Sequence, residues 1–188
     1  NMAFDVSSLY KNGKATFEGK LVIIDIDDDL VIDSLFVENT DTIVVSSVAK
    51  SNKGFYIRGK YTNERFPANN KLINLADETS KISIIKDGEQ IEYSDLEEFD
   101  VVTYTQSGNV YNFVVSNETV EGVVEQITSE DEIVVDGVAY EKSAYYIEKI
   151  GKEPSKACKL GDEVVMYLDT YGQIAYTEIT ATGGTDTY

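Results

Sequence analysis

KLVIID (20–25), TIVVSS (42–47), GFYIRGKY (54–61), KISIIKDG (81–88), DVVTYT (100–105), NVYNFVV (109–115), EIVVDG (132–137), EVVMYLD (163–169) and QIAYTEI (173–179) are short β-branched and aromatic runs separated by clusters of Gly, Asn, Asp and Ser. This cadence is the pattern of strands joined by tight turns. It predicts a nearly all-β chain of antiparallel strands with minimal helix. The clearest helical signal is YSDLEEFD (93–100), where Ser94 can cap and Glu97, three residues on, can complete a capping box. It supports one or two turns. SAYYIEKI (143–150) fits the helical and the strand period equally, so both stay open.

Self-comparison adds a second constraint. EGKLVIIDIDDDLVIDSLFV (18–37) aligns without a gap to EGVVEQITSEDEIVVDGVAY (121–140). Glu18, Gly19, Ile24, Asp28, Val31 and Asp33 meet Glu121, Gly122, Ile127, Asp131, Val134 and Asp136, while other polar positions drift. DGEQIEYS (87–94) likewise matches DGVAYEKS (136–143), and DVVTYTQSGNVYNF (100–113) matches DEVVMYLDTYGQIAYTE (162–178). LGDEV (160–164) and EFDVV (98–102) are one device used twice, an aspartate leading the chain out of a turn into a strand. With 188 residues and 42% hydrophobic content, the chain can hold one substantial core or two small domains of roughly 70 to 100 residues each. The repeats predict two related barrel-like or sandwich-like units over 12–116 and 117–181, after an N-terminal segment (1–11) and before a flexible tail (182–188) that contains GGT (183–185).

IIDIDDDLVID (23–33) is the stretch most like a metal loop. A calcium-loop template started at Asp25 places Asp27 and Asp29 well, but puts Leu30 where the sharp turn needs Gly and Phe36 where the bidentate Glu belongs. That rules out an EF-hand. An acidic, solvated hairpin turn is the primary reading, with looser calcium binding at Asp25, Asp27 and Asp29 as its alternative. No other cofactor is expected.

Composition narrows the chemistry further. The chain has no histidine, which removes the usual general base and the commonest zinc ligand, and with them triad chemistry and His-bound zinc. Cys158 is the one cysteine, so no internal disulfide or Cys-based metal cage can form, and a buried structural thiol is the expected role. Sixteen basic against 34 acidic residues give a net charge of -18, a field that repels nucleic acid and anionic membrane surfaces. No apolar run reaches the 18 residues or so that a membrane span requires. With this many carboxylates, pairs at glycosidase-like spacing are unavoidable and carry no information about hydrolysis. The chain is therefore expected not to be an enzyme. Its opening NMAFDVSSLY lacks the basic and apolar regions of a signal peptide, and the expectation is a piece of a longer polypeptide.

Two surfaces stand out as candidates for interaction. Lys50, Lys53, Arg58, Lys60 and Arg65 form the one locally positive region, and Lys53, Arg58 and Lys60 are its core as a dock for an acidic neighbour. Tyr145 and Tyr146 are the least regularly placed aromatic pair and the first place to look for a ligand or partner. Tyr104, Tyr111, Tyr140, Tyr167 and Tyr176 alternate along strands and read as core or rim.

The run SDLEEFDVVTYTQSGNVYNFVVSNETVEGVVEQITSEDEIVVDGVAYEKS, followed by CKLGDEVVMYLDTYGQIAYTEI, resembles the β-rich segment of clostridial cell-surface proteins that carry S-layer homology modules. The matching elements are Asp95 to Tyr104, Val110 to Val115, Val120 to Val124, Val134 to Tyr140 and Leu160 to Ile174, within residues 93–179. The wall-anchoring helical modules of those proteins have no counterpart in this chain. The resemblance implies a secreted, non-enzymatic domain on the cell surface or wall of a Gram-positive bacterium, used for display, assembly or adhesion. It implies partners that are other copies or wall and surface polymers, and it transfers no catalytic residue. The alternative of a different class is a carbohydrate-binding module of a wall-associated enzyme.

Overall fold

The computed structural model describes residues 10–11, 14–15, 19–26, 32–68, 71–128 and 131–183, and the chain divides between Asp41 and Thr42 into two units. In the first unit β1 (Tyr10–Lys11) pairs with β2 (Lys14–Ala15), and β3 (Gly19–Ile24) pairs antiparallel with β4 (Ser34–Asn39). Asp33 draws the ends of the second hairpin together. Its N–H donates to the Ile24 carbonyl at 2.9 Å, and its carboxylate accepts the Ile26 N–H at 2.7 Å. Such local bonding is why aspartate suits turns.

The second unit begins within β5 (Asp41–Ser51) and continues through β6 (Gly54–Gly59), β7 (Arg65–Phe66), β8 (Ile73–Asn74), β9 (Lys81–Lys86), β10 (Glu89–Gln90), β11 (Val101–Ser107) and β12 (Val110–Ser116). These form one sheet in the order β10-β9-β12-β11-β5-β6-β7, with β8 added to β6. The β9–β12 pair is parallel, whereas β5–β6, β9–β10 and β11–β12 are antiparallel. A second, antiparallel sheet holds β13 (Thr119–Ile127), β14 (Glu132–Val135), β15 (Val138–Glu141), β16 (Glu163–Leu168) and β17 (Ile174–Ala181) in the order β15-β14-β13-β16-β17. Helix α1 (Ala144–Lys152) lies between β15 and β16 in the chain. Among the described residues no sheet closes into a barrel, and the fold is all-β and sandwich-like.

Burial follows the two-residue period of a strand. Along β12, Tyr111, Phe113 and Val115 face a core that also contains Phe55, Ile57, Phe66 and Val102, while Val110, Asn112 and Val114 face out. In β16, Val164, Met166 and Leu168 point into a separate core with Val124, Ile133 and Ile174. Strand β5 is buried at four successive positions, Thr42 to Val45, because it is covered on both faces. Ile43 and Val45 enter the first core, and Val44 joins Tyr61, Val101, Tyr145 and Ala175 in a third cluster between the sheets.

The aspartate device recurs bond for bond. Asp100 accepts the Glu97 N–H at 2.9 Å, and Asp162 accepts the Lys159 N–H at 2.7 Å. Val45 N–H donates to the Asp100 carbonyl and Phe99 N–H to the Val45 carbonyl, as Val124 does to Asp162 and Gly161 to Val124. Phe99 (φ 72°) and Gly161 (φ 85°) share the left-handed conformation that this turn imposes. At Phe99 the ring offsets the strain by stacking on Tyr167 with centroids 4.5 Å apart. The DG turns also agree: Asp87 and Gly88, like Asp136 and Gly137, all have positive φ, as a two-residue hairpin turn of matching twist requires.

The longer alignment of 18–37 with 121–140 does not extend to pairing. Leu21 pairs with Val37, whereas its aligned residue Val124 pairs with Val135, which aligns with Ile32. Like spacing of apolar residues leaves register open, because turn geometry and neighbouring strands select it.

The helix also falls where the stronger capping signal was not. Residues 93–100 yield only a 3-10 turn, Tyr93–Asp95, closed by Glu92 and Asp95 rather than by Ser94 and Glu97. Tyr93 stacks on Phe55 at 4.3 Å, Leu96 is buried, and Asp100 holds Glu97, so three anchors pull the segment out of a helical path. Instead Ser143 caps α1 by accepting the Tyr146 N–H at 3.0 Å, and Lys149 and Lys152 occupy its last turn, favourable against the helix dipole.

An aromatic seam joins the two sheets. Tyr61 meets Tyr145 and Tyr176 edge-on at 5.7 and 5.5 Å, beside the Phe99–Tyr167 stack. Burial raises the phenols of Tyr61, Tyr145 and Tyr146 well above their ordinary value, with neighbouring Glu64 adding to the shift at Tyr145. The folded chain thus keeps protons that the unfolded chain releases above about pH 10. Stability is whole below that pH and falls above it, by about 1.4 kcal/mol per pH unit for each such tyrosine. Alkaline titration is expected to unfold the protein cooperatively, with a step in tyrosinate absorbance coincident with loss of circular dichroism. Smooth ionisation of every tyrosine near pH 10 with the fold intact would contradict the buried seam.

Candidate functional site

The chain contains two arginines, Arg58 and Arg65, and the fold makes them direct cross-strand neighbours on β6 and β7. Alternation along β6 sends Phe55 and Ile57 into the core and leaves Tyr56 and Arg58 on the outer face. Tyr56 is the platform. The Arg58 guanidinium lies 5.4 Å from its ring centroid and that of Arg65 3.7 Å. Arg58 Nη2 donates to the Tyr56 hydroxyl at 2.8 Å, and Arg65 Nη2 donates to the Lys71 carbonyl at 2.6 Å. Like charges directly opposite in a sheet repel. Cation–π contact with a shared ring offsets part of that cost and fixes both planar groups in place. Two guanidinium forks side by side suit the paired oxygens of a carboxylate, phosphate or sulfate.

Immediately past Phe66 a polar cleft of about 590 Å³ opens, lined by Pro67, Lys71, Asn74, Gln106, Asn109 and Tyr111 among others. Asn74 spends its carbonyl oxygen on the Ala76 N–H, and Gln106 its amide nitrogen on the Gly108 carbonyl. Among the described residues the opposite end of each amide has no hydrogen-bond partner. Asn109 is committed to Asp77 and Thr79 at 3.2 and 2.9 Å. Lys71, whose carbonyl accepts from Arg65, also lines the cleft.

Of the residues predicted to interact, Lys53 and Arg58 are exposed, Lys53 in the β5–β6 turn and Arg58 in mid-strand. Lys60 is not part of that surface. It pairs with Glu98 and lies 3.3 Å above the centre of the Phe99 ring, so its charge is spent at the sheet-to-sheet seam. Tyr145 and Tyr146 are interior residues, 8% and 2% exposed. Helix α1 turns both inward: Tyr145 donates to Glu64 at 2.8 Å and accepts the Val44 N–H at 3.3 Å, and Tyr146 bonds Thr177 at 3.1 Å. The expected aromatic surface is therefore a structural clamp.

Asp27 and Asp29 lie outside the described residues, and Asp25 is half-buried. Among the described residues no group of three His, Cys, Asp or Glu side chains is placed to hold a metal ion. Burial pushes the Cys158 thiol up, which makes it a poor nucleophile. No helix among the described residues is long and apolar enough to cross a membrane. Proximity in the chain groups Arg65 with Arg58 and three lysines but does not pair the two arginines, and nothing local points to Asn74 or Gln106. The i, i+2 placement of Tyr56 and Arg58 in GFYIRGKY was the one local signal of a shared face. Comparison with protein-family models, with curated proteins and with solved structures finds no match for this chain.

Proposed function

We propose that this chain is a non-enzymatic extracellular domain of a bacterial surface-layer-type or cell-wall-associated protein, serving display, assembly or adhesion, and that it holds an anionic wall or surface polymer at Arg58 and Arg65. One observation carries this reading: in a chain of net charge -18, both arginines are cross-strand neighbours on one tyrosine. Among the described residues Arg58 makes no ion pair with a carboxylate. A fold that only needed solubility would gain nothing from placing these charges together. The resemblance to surface-layer proteins supplies the setting, and the all-β sandwich with its repeated strand-turn device suits a rigid spacer.

Binding to immobilised poly(glycerol phosphate) tests the proposal. The double variant Arg58→Glu, Arg65→Glu is expected to lose at least tenfold in affinity, about 1.4 kcal/mol. The wild-type interaction should weaken as ionic strength rises. Equal binding by the variant and the wild type would sink the assignment. The polar cleft favours a second reading, a carbohydrate-binding module, because the amides of Asn74 and Gln106 can hydrogen-bond the hydroxyls of a neutral sugar. In that case binding of an uncharged oligosaccharide survives the arginine changes and disappears on Asn74→Ala with Gln106→Ala.

A further inference from the structure

The second sheet contains an unrelated cavity. Helix α1, the ends of β13 and β14 and the loop after α1 line a half-open hollow of about 430 Å³, within the range of small-molecule sites. Ile133, Tyr146 and Cys158, all at most 5% exposed, form its floor. Ile127 and Ile147, each 42% exposed, form its lips, and Ile150 lines the helix side. An apolar hollow with isoleucine at its mouth exposes surface that water solvates poorly, and a hydrocarbon would cover it.

Among the described residues, two charged ones line the cavity, Asp131 and Lys142. They differ in availability. Asp131 is already partnered, whereas Lys142 makes no ion pair among the described residues. The Lys142 backbone is fixed by an N–H bond of 2.8 Å to the Asp131 carbonyl, and its neighbour Ser143 caps α1, so its side chain leaves from a rigid point. Burial dominates the raised Cys158 thiol, and the Lys142 charge is the weakest of the influences that pull it back. Lys142 is thus a half-buried cation beside an apolar wall in a strongly acidic protein, placed to attract an anionic group.

We propose that this cavity binds a small amphiphile with an apolar body and a single anionic head, the hydrocarbon lying between the Ile127 and Ile147 lips and the head group against Lys142. This ligand site is independent of the arginine surface, and either can fail without the other.

Calorimetric titration with octanoate and with octan-1-ol tests it. Octanoate is expected to bind saturably, one molecule per chain, at about 1 mM, the range open to a ligand of about ten non-hydrogen atoms. Octan-1-ol should bind about tenfold more weakly. Lys142→Gln should bring octanoate down to the level of the alcohol and leave the alcohol unchanged. Ile147→Lys, at an exposed position that the fold tolerates, should weaken both at least tenfold with an unchanged melting temperature. Because Cys158 is the chain's one cysteine, its alkylation by N-ethylmaleimide gives a separate readout and should slow in octanoate. Absence of saturable octanoate binding, equal affinity for acid and alcohol, or unaltered binding by Ile147→Lys would each overturn the proposal.

Discussion

Asp100→Ala is expected to lower the free energy of unfolding by about 3–5 kcal/mol, the cost of stripping one partner from a buried ion pair. Asp100 is 3% exposed, and both of its carboxylate oxygens accept from Lys86 Nζ, at 2.9 and 3.0 Å. One of them also accepts the Glu97 N–H. Removal strands a largely buried ammonium, with only exposed Glu97 at 3.4 Å to replace the lost partner, and orphans a turn amide. Asp162 provides the internal control. It is equally buried, at 4%, and accepts N–H bonds from Lys159 and Gly183, but among the described residues it pairs with no cation. Asp162→Ala therefore costs only its backbone bonds, about 1–3 kcal/mol. Urea unfolding of both variants measures the difference, and equal losses would show that the Lys86 pair contributes nothing.

The second large effect is expected at the seam. Tyr145→Ala removes a buried aromatic side chain and should cost about 3–5 kcal/mol. Tyr145→Phe keeps the ring but leaves the Val44 N–H and the Glu64 carboxylate without the hydroxyl, a loss of about 1–3 kcal/mol. Glu64 keeps Lys149 at 2.6 Å in either variant. Because Val44 sits in the doubly covered stretch of β5, its amide should exchange with solvent faster in Tyr145→Phe, while amides of the β9–β10 hairpin should not change. Acceleration spread evenly over the unit would argue that the hydroxyl acts only through global stability.

Much of the fold was legible because its signals are local. A strand in half-buried surroundings must alternate, as VYNFVVS does, and a two-residue hairpin needs positive φ, which DG at 87–88 and at 136–137 accommodates. The aspartate ahead of β11 and of β16 was readable for the same reason, since its carboxylate bonds a backbone N–H three residues back. The candidate site was half legible. Alternation puts Tyr56 and Arg58 on one face, but Arg65 reaches them only because β7 pairs with β6.

The sequence by itself determined the strands, the tight turns and the twice-used aspartate, since each depends on contacts within a few residues. Tertiary structure decided the parallel β9–β12 pair, the choice of helix at 144–152 and the inward turn of Tyr145 and Tyr146. In those cases two local conformations were close in energy. The choice between them was made by burial against residues distant in the chain, and Tyr145 shows it in meeting Val44 and Glu64 across the seam.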